Sequence, residues 1–241
     1  GETWFSPHSG SDALTGQYGV LTLDVTGAWH YAADNKQALV QQLGQGETLT
    51  EHFTITSVDG TQQIIDITLT GTNDVPVIGY DSISSGSIAE DVTQNTVTGA
   101  LNANDVDITS QLSWSLEPTP GTFGTLSIDP VSGQWTYTLD NSRPATQALA
   151  EGQQVTEHFI ALVTDEHGAV AQQPIDIIVR GTNDDPVLLH VPAQNLTEDD
   201  IVVHGQLVGT DVDTGDTLIY SSTVSVAGFI LNADGSYSFD P

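Results

Sequence analysis

Short runs in which apolar and polar residues alternate recur along this chain, each bounded by Gly, Pro, Asn or Asp. The clearest ends at Arg180: Ile175, Ile177 and Val179 share one face by the two-residue period of a strand. Trp135, Tyr137 and Leu139 define a second such face, and Phe159, Ala161 and Val163 a third. Between residues 75 and 184 the pattern predicts seven strands, near 82–88, 96–103, 111–116, 123–128, 134–139, 157–164 and 173–180. One short helix is predicted at 145–150, ended by Gly152. Many short strands separated by turn residues imply an all-β sandwich.

The pattern repeats. Gly71-Thr72-Asn73-Asp74 recurs as Gly181-Thr182-Asn183-Asp184, and a proline lies two residues beyond each copy, Pro76 and Pro186. Trp29-His30-Tyr31 recurs as Trp135-Thr136-Tyr137, and Thr50-Glu51-His52-Phe53 as Thr156-Glu157-His158-Phe159. Ile65, Ile67 and Leu69 repeat the inward phase of the last strand, and Lys36 to Leu43, ended by Gly44, repeats the helix. Val203, Gly205 and Leu207 match Val97, Gly99 and Leu101. A repeat this long exceeds solenoid periods of roughly 20–50 residues, so each unit should own a core. Three units follow: 1–74, holding the third to seventh strands with Trp4 matched to Trp114; 75–184, complete; and 185–241, holding the first five strands. The outer units are thus truncated, and with no initiating Met the chain reads as a piece of a longer protein.

Composition narrows the function. With 32 acidic and three basic side chains (Lys36, Arg143, Arg180) the net charge is −29. Such a surface repels nucleic acid and anionic membranes. A hydrophobic share of 38% on recognisable strands argues against disorder. The absence of cysteine excludes disulfides, thiolate metal sites and cysteine nucleophiles. No apolar run has transmembrane length, and no signal peptide is visible.

The acids are placed where they converge. Alternating strand direction assigns each loop to one pole of a sandwich, and stacking units end to end brings one lower pole onto the next upper pole. The first junction then gathers Asp34, Asn73, Asp74, Asp105, Asp107 and Asp165. The second gathers Glu90, Asp91, Asp140, Asn183, Asp184, Asp211 and Asp213, with Asp216 nearby. Two carboxylates about 4 Å apart repel by roughly 4 kcal/mol at an effective dielectric of about 20, so five or six together need a cation. Oxygen-only ligands on flexible loops suit Ca2+ better than magnesium or zinc.

Glu90-Asp91, Asp105-Val106-Asp107, Asp165-Glu166-His167-Gly168 and Gly181-Thr182-Asn183-Asp184-Asp185-Pro186, in this order and spacing, resemble the VCBS repeat. That repeat is a cadherin-like module of RTX-type bacterial surface adhesins. The Asn-Asp-x-Pro element also resembles the cadherin linker, with Glu90-Asp91, Leu139-Asp140, Asp105/Asp107 and Asp165 standing for its acidic elements. The resemblance implies tandem immunoglobulin/cadherin-like β-sandwiches, extracellular at a bacterial cell surface, touching neighbouring repeats and calcium, and reaching a cell-surface or matrix ligand only through other domains. The glycine-rich nonapeptide calcium repeats of RTX tails are absent.

Catalytic patterns are missing. There is no His-Glu-x-x-His, no Gly-x-Ser-x-Gly and no phosphate-cradling glycine loop. His52 and His158 sit at equivalent strand positions and read as outer-face residues; Trp29, Trp114 and Trp135 read as core. The reading is a non-enzymatic, calcium-stiffened extender of a large adhesin, supporting adhesion or biofilm formation. The alternatives are a carbohydrate- or protein-binding module, or an accessory repeat of a secreted hydrolase.

Overall fold

The computed structural model describes residues 4–197 and 201–241. Its N-terminal part holds β1 (Leu14–Thr15), β2 (Gly19–Leu23), β3 (Trp29–Ala33), the single-turn α1 (Ala38–Gln41), β4 (Thr48–Thr56) and β5 (Gln62–Thr70). The central part holds β6 (Val77–Ile78), β7 (Ser85–Ala89), β8 (Thr96–Ala100), β9 (Ala103–Asn104), β10 (Ser113–Leu116), β11 (Gly124–Ile128), β12 (Gln134–Leu139), α2 (Pro144–Gln147), β13 (Gln154–Thr164) and β14 (Val170–Arg180). The C-terminal part holds β15 (Val187–Leu188), β16 (Val203–Gln206), β17 (Gly209–Thr210), β18 (Phe229–Leu231) and β19 (Ser236–Phe239).

Two sheets form the central sandwich, one in the order β10-β13-β14-β7 and one in the order β11-β12-β8. The long hairpin β13–β14 pairs Gln154 with Arg180 through to Thr164 with Val170. β7 joins β14 in parallel, with Ser85 opposite Asp176 and Ala89 opposite Arg180. The alternating faces meet between the sheets. Trp135, Tyr137, Ala161, Val163, Ile175, Ile177 and Val179 are fully buried, and Trp114, Leu139 and Phe159 nearly so. The period-2 pattern of the sequence is therefore the burial pattern of these strands.

A polar device locks the two sheets. Glu157, buried on β13, accepts the Tyr137 hydroxyl and the N–H groups of Thr122 and Phe123, the last at 3.1 Å. Burial, and then the Glu157 carboxylate, hold the Tyr137 hydroxyl well above its usual range. Glu51 repeats the arrangement with Tyr31 and the Gln17 and Tyr18 amides.

The outer parts are barer. Sheets β1-β2-β3 and β4-β5 enclose a small cluster of Leu21, Leu23, Phe53, Ile55 and Ile67. Trp29, expected in the core, is 50% exposed, whereas Trp135 is 0%. The physical reason is local: no strand equivalent to β7 or β8 covers it among the described residues. The counterpart of Trp114 is also shifted. Phe5 bridges Ser57 as Trp114 pairs with Val163, so Phe5, not Trp4, enters the cluster. Gly46, rather than Gly44, takes the left-handed conformation of Gly152, at φ 80° against 77°. Among the described residues of 185–241 no hydrophobic side chain is buried, and no strands equivalent to β13 and β14 face sheet β16-β19-β18. His52 and His158 lie exposed on outer faces, each 2.7 Å from a cross-strand partner, Asp66 and Asp176.

Candidate metal centre

Two acidic sites of the same design follow the ends of β5 and β14. Each strand exits through the glycine of Gly-Thr-Asn-Asp. Gly71 N–H donates to Glu47 O at 2.8 Å, and Gly181 N–H to Gln153 O at 2.9 Å. A Cβ at either glycine would lie 2.3 Å from a backbone oxygen, of Leu43 or Leu149, so no larger residue fits this crossing. The chain then reaches a short ladder. Val77 pairs with Asn104, and Val187 with Thr210. These ladders set the Asp-x-Asp loops beside the exits.

The contacts that follow match bond for bond. Asp74 N–H donates to Asp107 Oδ2 at 3.0 Å, and Asp184 N–H to Asp213 Oδ2 at 2.9 Å. The amides of Asp107 and Asp213 donate to Asp105 and Asp211 Oδ1, both at 3.0 Å. Ile108 N–H reaches Gln42 O and Thr214 N–H reaches Ala148 O, both at 3.2 Å. Asn73 and Asn183 each turn their side-chain amide onto the following aspartate's carbonyl at 2.7 Å. Asn73 also donates to Asp165 Oδ2 at 2.8 Å. Asp165 is buried, which raises its pKa, but Asn73 and the amides of Ala169, His167 and Gly168 outweigh this and lower it.

The second site has an additional arm. Glu90, fully buried at the end of β7, donates its N–H to Arg180 O at 3.0 Å and accepts from Thr182 N–H at 2.9 Å. Asp91 follows with φ 56° and accepts from Gln147 Nε2 at 3.2 Å. Carboxylate oxygens of Glu90, Asp91 and Asp184 lie within 4.8 Å of one another, as do those of Asp211, Asp213 and Asp216.

The electrostatics are unbalanced. Burial first, opposed by the Thr182 amide and reinforced by Asp91, Asp184 and Asp213, pushes Glu90 up to about 7. Burial and then Asp107 and Asp105 raise Asp74; burial and then Asp91 and Asp213 raise Asp184. Among the described residues no Lys or Arg pairs with these acids. Among the described residues, six buried oxygens find no donor: Glu90 Oε2, Asp105 Oδ2, Asp107 Oδ1, Asn141 Oδ1, Asp184 Oδ2 and Asp213 Oδ1. Stranding such atoms costs about 1–3 kcal/mol each, and more where they are charged. A hard divalent cation would satisfy them, and the donor set is all oxygen.

Not every expected residue joins these groups. Asp34 is exposed and accepts the Lys36 amide at 3.1 Å. Asp140 spends its oxygens on Ser142 (2.6 Å) and Arg143 Nε (3.2 Å), which hold it below the usual carboxylate range, the serine contributing most. Asn183 keeps its N–H on Glu151 Oε2 at 3.1 Å, and its side chain is exposed. Conversely, the buried Asn141 Oδ1 was not foreseen, although its counterpart Asn35 lines the cavity beside Asp74. The repeated Asp-Asn at 34–35 and 140–141 was the signal available for it.

Residues 73–181 match the family model of the bacterial cadherin-like domain. The fold is similar to human CDH23 EC21-23, at 14% identity and TM-score 0.50, over 98% of this chain and 80% of that one. It is equally similar to protocadherin gamma B2 extracellular cadherin domains 1-5, at 14% identity and TM-score 0.50, over 100% of this chain and 50% of that one. Drosophila N-cadherin EC1-4 aligns at 13% identity and TM-score 0.42; this chain spans 58% of its length. No curated protein matches. No helix among the described residues is long and apolar enough to cross a membrane.

Proposed function

We propose that the chain is a calcium-stiffened extender of tandem cadherin-like units, 1–74, 75–184 and 185–241, in an extracellular bacterial adhesin. The observation carrying this reading is the pair Asp107 and Asp213. Each is 5% exposed, each gives one oxygen to the amide of the preceding linker aspartate, and each leaves Oδ1 without a donor. Calcium would be held at the first site by Asp74, Asp105 and Asp107, and at the second by Glu90, Asp91, Asp184, Asp211, Asp213, Asp216 and Asn141. Bound there, it supplies charge neutralisation between one unit and the next, which turns a linker into a strut. The role is mechanical and non-enzymatic: rigid projection of a distal binding domain, in support of adhesion or biofilm growth.

Calorimetric titration of the whole chain with calcium, and with magnesium as comparison, tests this. Asp107→Ala should remove the first site and Asp213→Ala the second, each leaving the other intact, since distant sites behave independently. Absence of calcium binding, or loss of both sites from one substitution, contradicts the reading.

A further inference from the structure

Beside the ladder of β6 and β9, on the complete central unit, lies an open cleft that neither acidic site uses. Its volume is about 430 Å³, and it is lined by Asp81, Asn102, Asn104, Leu112, Trp114 and Ser132, among others. Two turns wall it. The first, 79–82, is closed by Ser82 N–H on Gly79 O at 3.2 Å and clamped to Asn102. Gly79 N–H donates to Asn102 O at 2.8 Å, Ser82 Oγ to the same oxygen at 3.2 Å, and Asn102 N–H to Ser82 Oγ at 2.9 Å. The two central residues of this turn point outward: Asp81 lines the cleft, and Tyr80 beside it is fully exposed. The second turn, 129–133, is held by Asp129 Oδ1, which accepts the Val131 and Ser132 amides at 3.1 and 2.7 Å. Gly133, with φ 68°, lets this turn close on the indole of Trp114, since a Cβ there would lie 2.8 Å from Nε1.

The polar side chains of this cleft are not required by the fold. Among the described residues, those of Asp81, Asn102 and Asn104 have no hydrogen-bond partner. The third unit builds the same ladder without the two asparagines. Leu189 N–H donates to Val208 O at 2.9 Å, as Gly79 N–H does to Asn102 O, and Val187 pairs with Thr210 as Val77 pairs with Asn104. Valine and threonine therefore serve at the positions of Asn102 and Asn104. In the central unit the surplus amides converge instead on a cleft floored by Leu112 and Trp114.

We propose that this cleft binds a neutral saccharide, so that the central unit contacts a glycan itself. Each asparagine amide offers both donors and an acceptor, and the Asp81 carboxylate accepts hydroxyls, which together match the adjacent hydroxyls of a sugar. Tyr80 adds an unpacked ring for the apolar C–H face of a pyranose, with a polar tip. Charge sets the selectivity. Among the described residues no Lys or Arg lines the cleft, and Asp81 with the net charge of −29 disfavours uronic, sialic and phosphorylated sugars. None of these residues belongs to the acidic sites, so the proposal stands apart from the calcium reading.

A microarray of neutral and acidic oligosaccharides, probed with the whole chain, tests this, with titration calorimetry on the strongest neutral ligand. Neutral glycans should bind, and their acidic analogues at least about tenfold more weakly. Tyr80→Ala, and the pair Asn102→Val with Asn104→Thr, should each weaken binding by at least about tenfold, because the sugar loses its ring contact or its amide partners. Both variants should keep the parent's melting temperature, since Tyr80 is fully exposed and the pair installs the residues that the third unit carries in the same ladder. Absence of binding to every neutral glycan, a preference for acidic ones, or an affinity unchanged in either variant would overturn the proposal.

Discussion

Replacing Asp107 by asparagine should change stability in opposite directions with and without calcium. The substitution keeps the shape and retains an oxygen to accept the Asp74 amide, now 3.0 Å away. It removes one charge from a group in which Asp107 and Asp105 already raise the Asp74 pKa, behind burial. Two unit charges about 4 Å apart repel by roughly 4 kcal/mol at an effective dielectric of about 20, and longer distances and salt reduce this. In chelator the variant should therefore be more stable than the parent, by about 1–2 kcal/mol. In calcium at about a hundredfold excess over the dissociation constant, the parent gains about 2.7 kcal/mol from ligand linkage. The variant forfeits most of that, so it should now be the less stable by about 1 kcal/mol. Each kcal/mol shifts the melting temperature of a domain of this size by about 4–8 °C, which differential scanning calorimetry resolves. A loss of the same sign and size in both conditions would show that Asp107 merely braces the linker amide, and would refute the argument.

Further expectations follow from the same structure. Glu90 is raised to about 7, so the folded chain holds a proton that the unfolded chain releases near 4.5. Between these values its contribution to stability is greatest at the acid end and falls as pH rises, provided calcium is absent. Thermal scans in chelator should therefore show a loss from pH 5 to pH 7.5 that Glu90→Gln removes, while calcium affinity should weaken as pH drops below about 7. Tyr137→Phe leaves a Glu157 oxygen buried without its donor and should cost about 1–3 kcal/mol in urea unfolding, more than Tyr31→Phe in the less buried counterpart. Asp140→Ala should leave calcium affinity in titration calorimetry unchanged, because its oxygens serve Ser142 and Arg143, whereas Asn141→Ala should weaken the second site.

Much of this was legible in the chain itself, because period-2 alternation reports burial directly wherever both sheets are present. Ile175, Ile177 and Val179 are buried as their spacing required. The same reading placed Trp29 in a core, and there it failed, since alternation tells which face a residue takes but not whether anything lies against it. Pairing register corrected Trp4 to Phe5, a one-residue shift that reverses the face and that composition alone does not fix. At the junctions, strand direction was enough to bring Asp74 to Asp107 and Asp184 to Asp213. It could not foresee that Asp140 would be absorbed by its own turn, because a local serine and arginine compete for a carboxylate that topology only brings near. The neutral Asn141 carries no charge to mark it in the sequence, although a buried carbonyl oxygen serves a hard cation as well.

Small-angle X-ray scattering of the intact chain, in calcium and in chelator, addresses the central claim most directly. If cations at the acidic junctions turn linkers into struts, calcium should lengthen and narrow the particle, and the combined substitution Asp107→Ala with Asp213→Ala should abolish the change. Identical scattering profiles in calcium and in chelator would contradict the account.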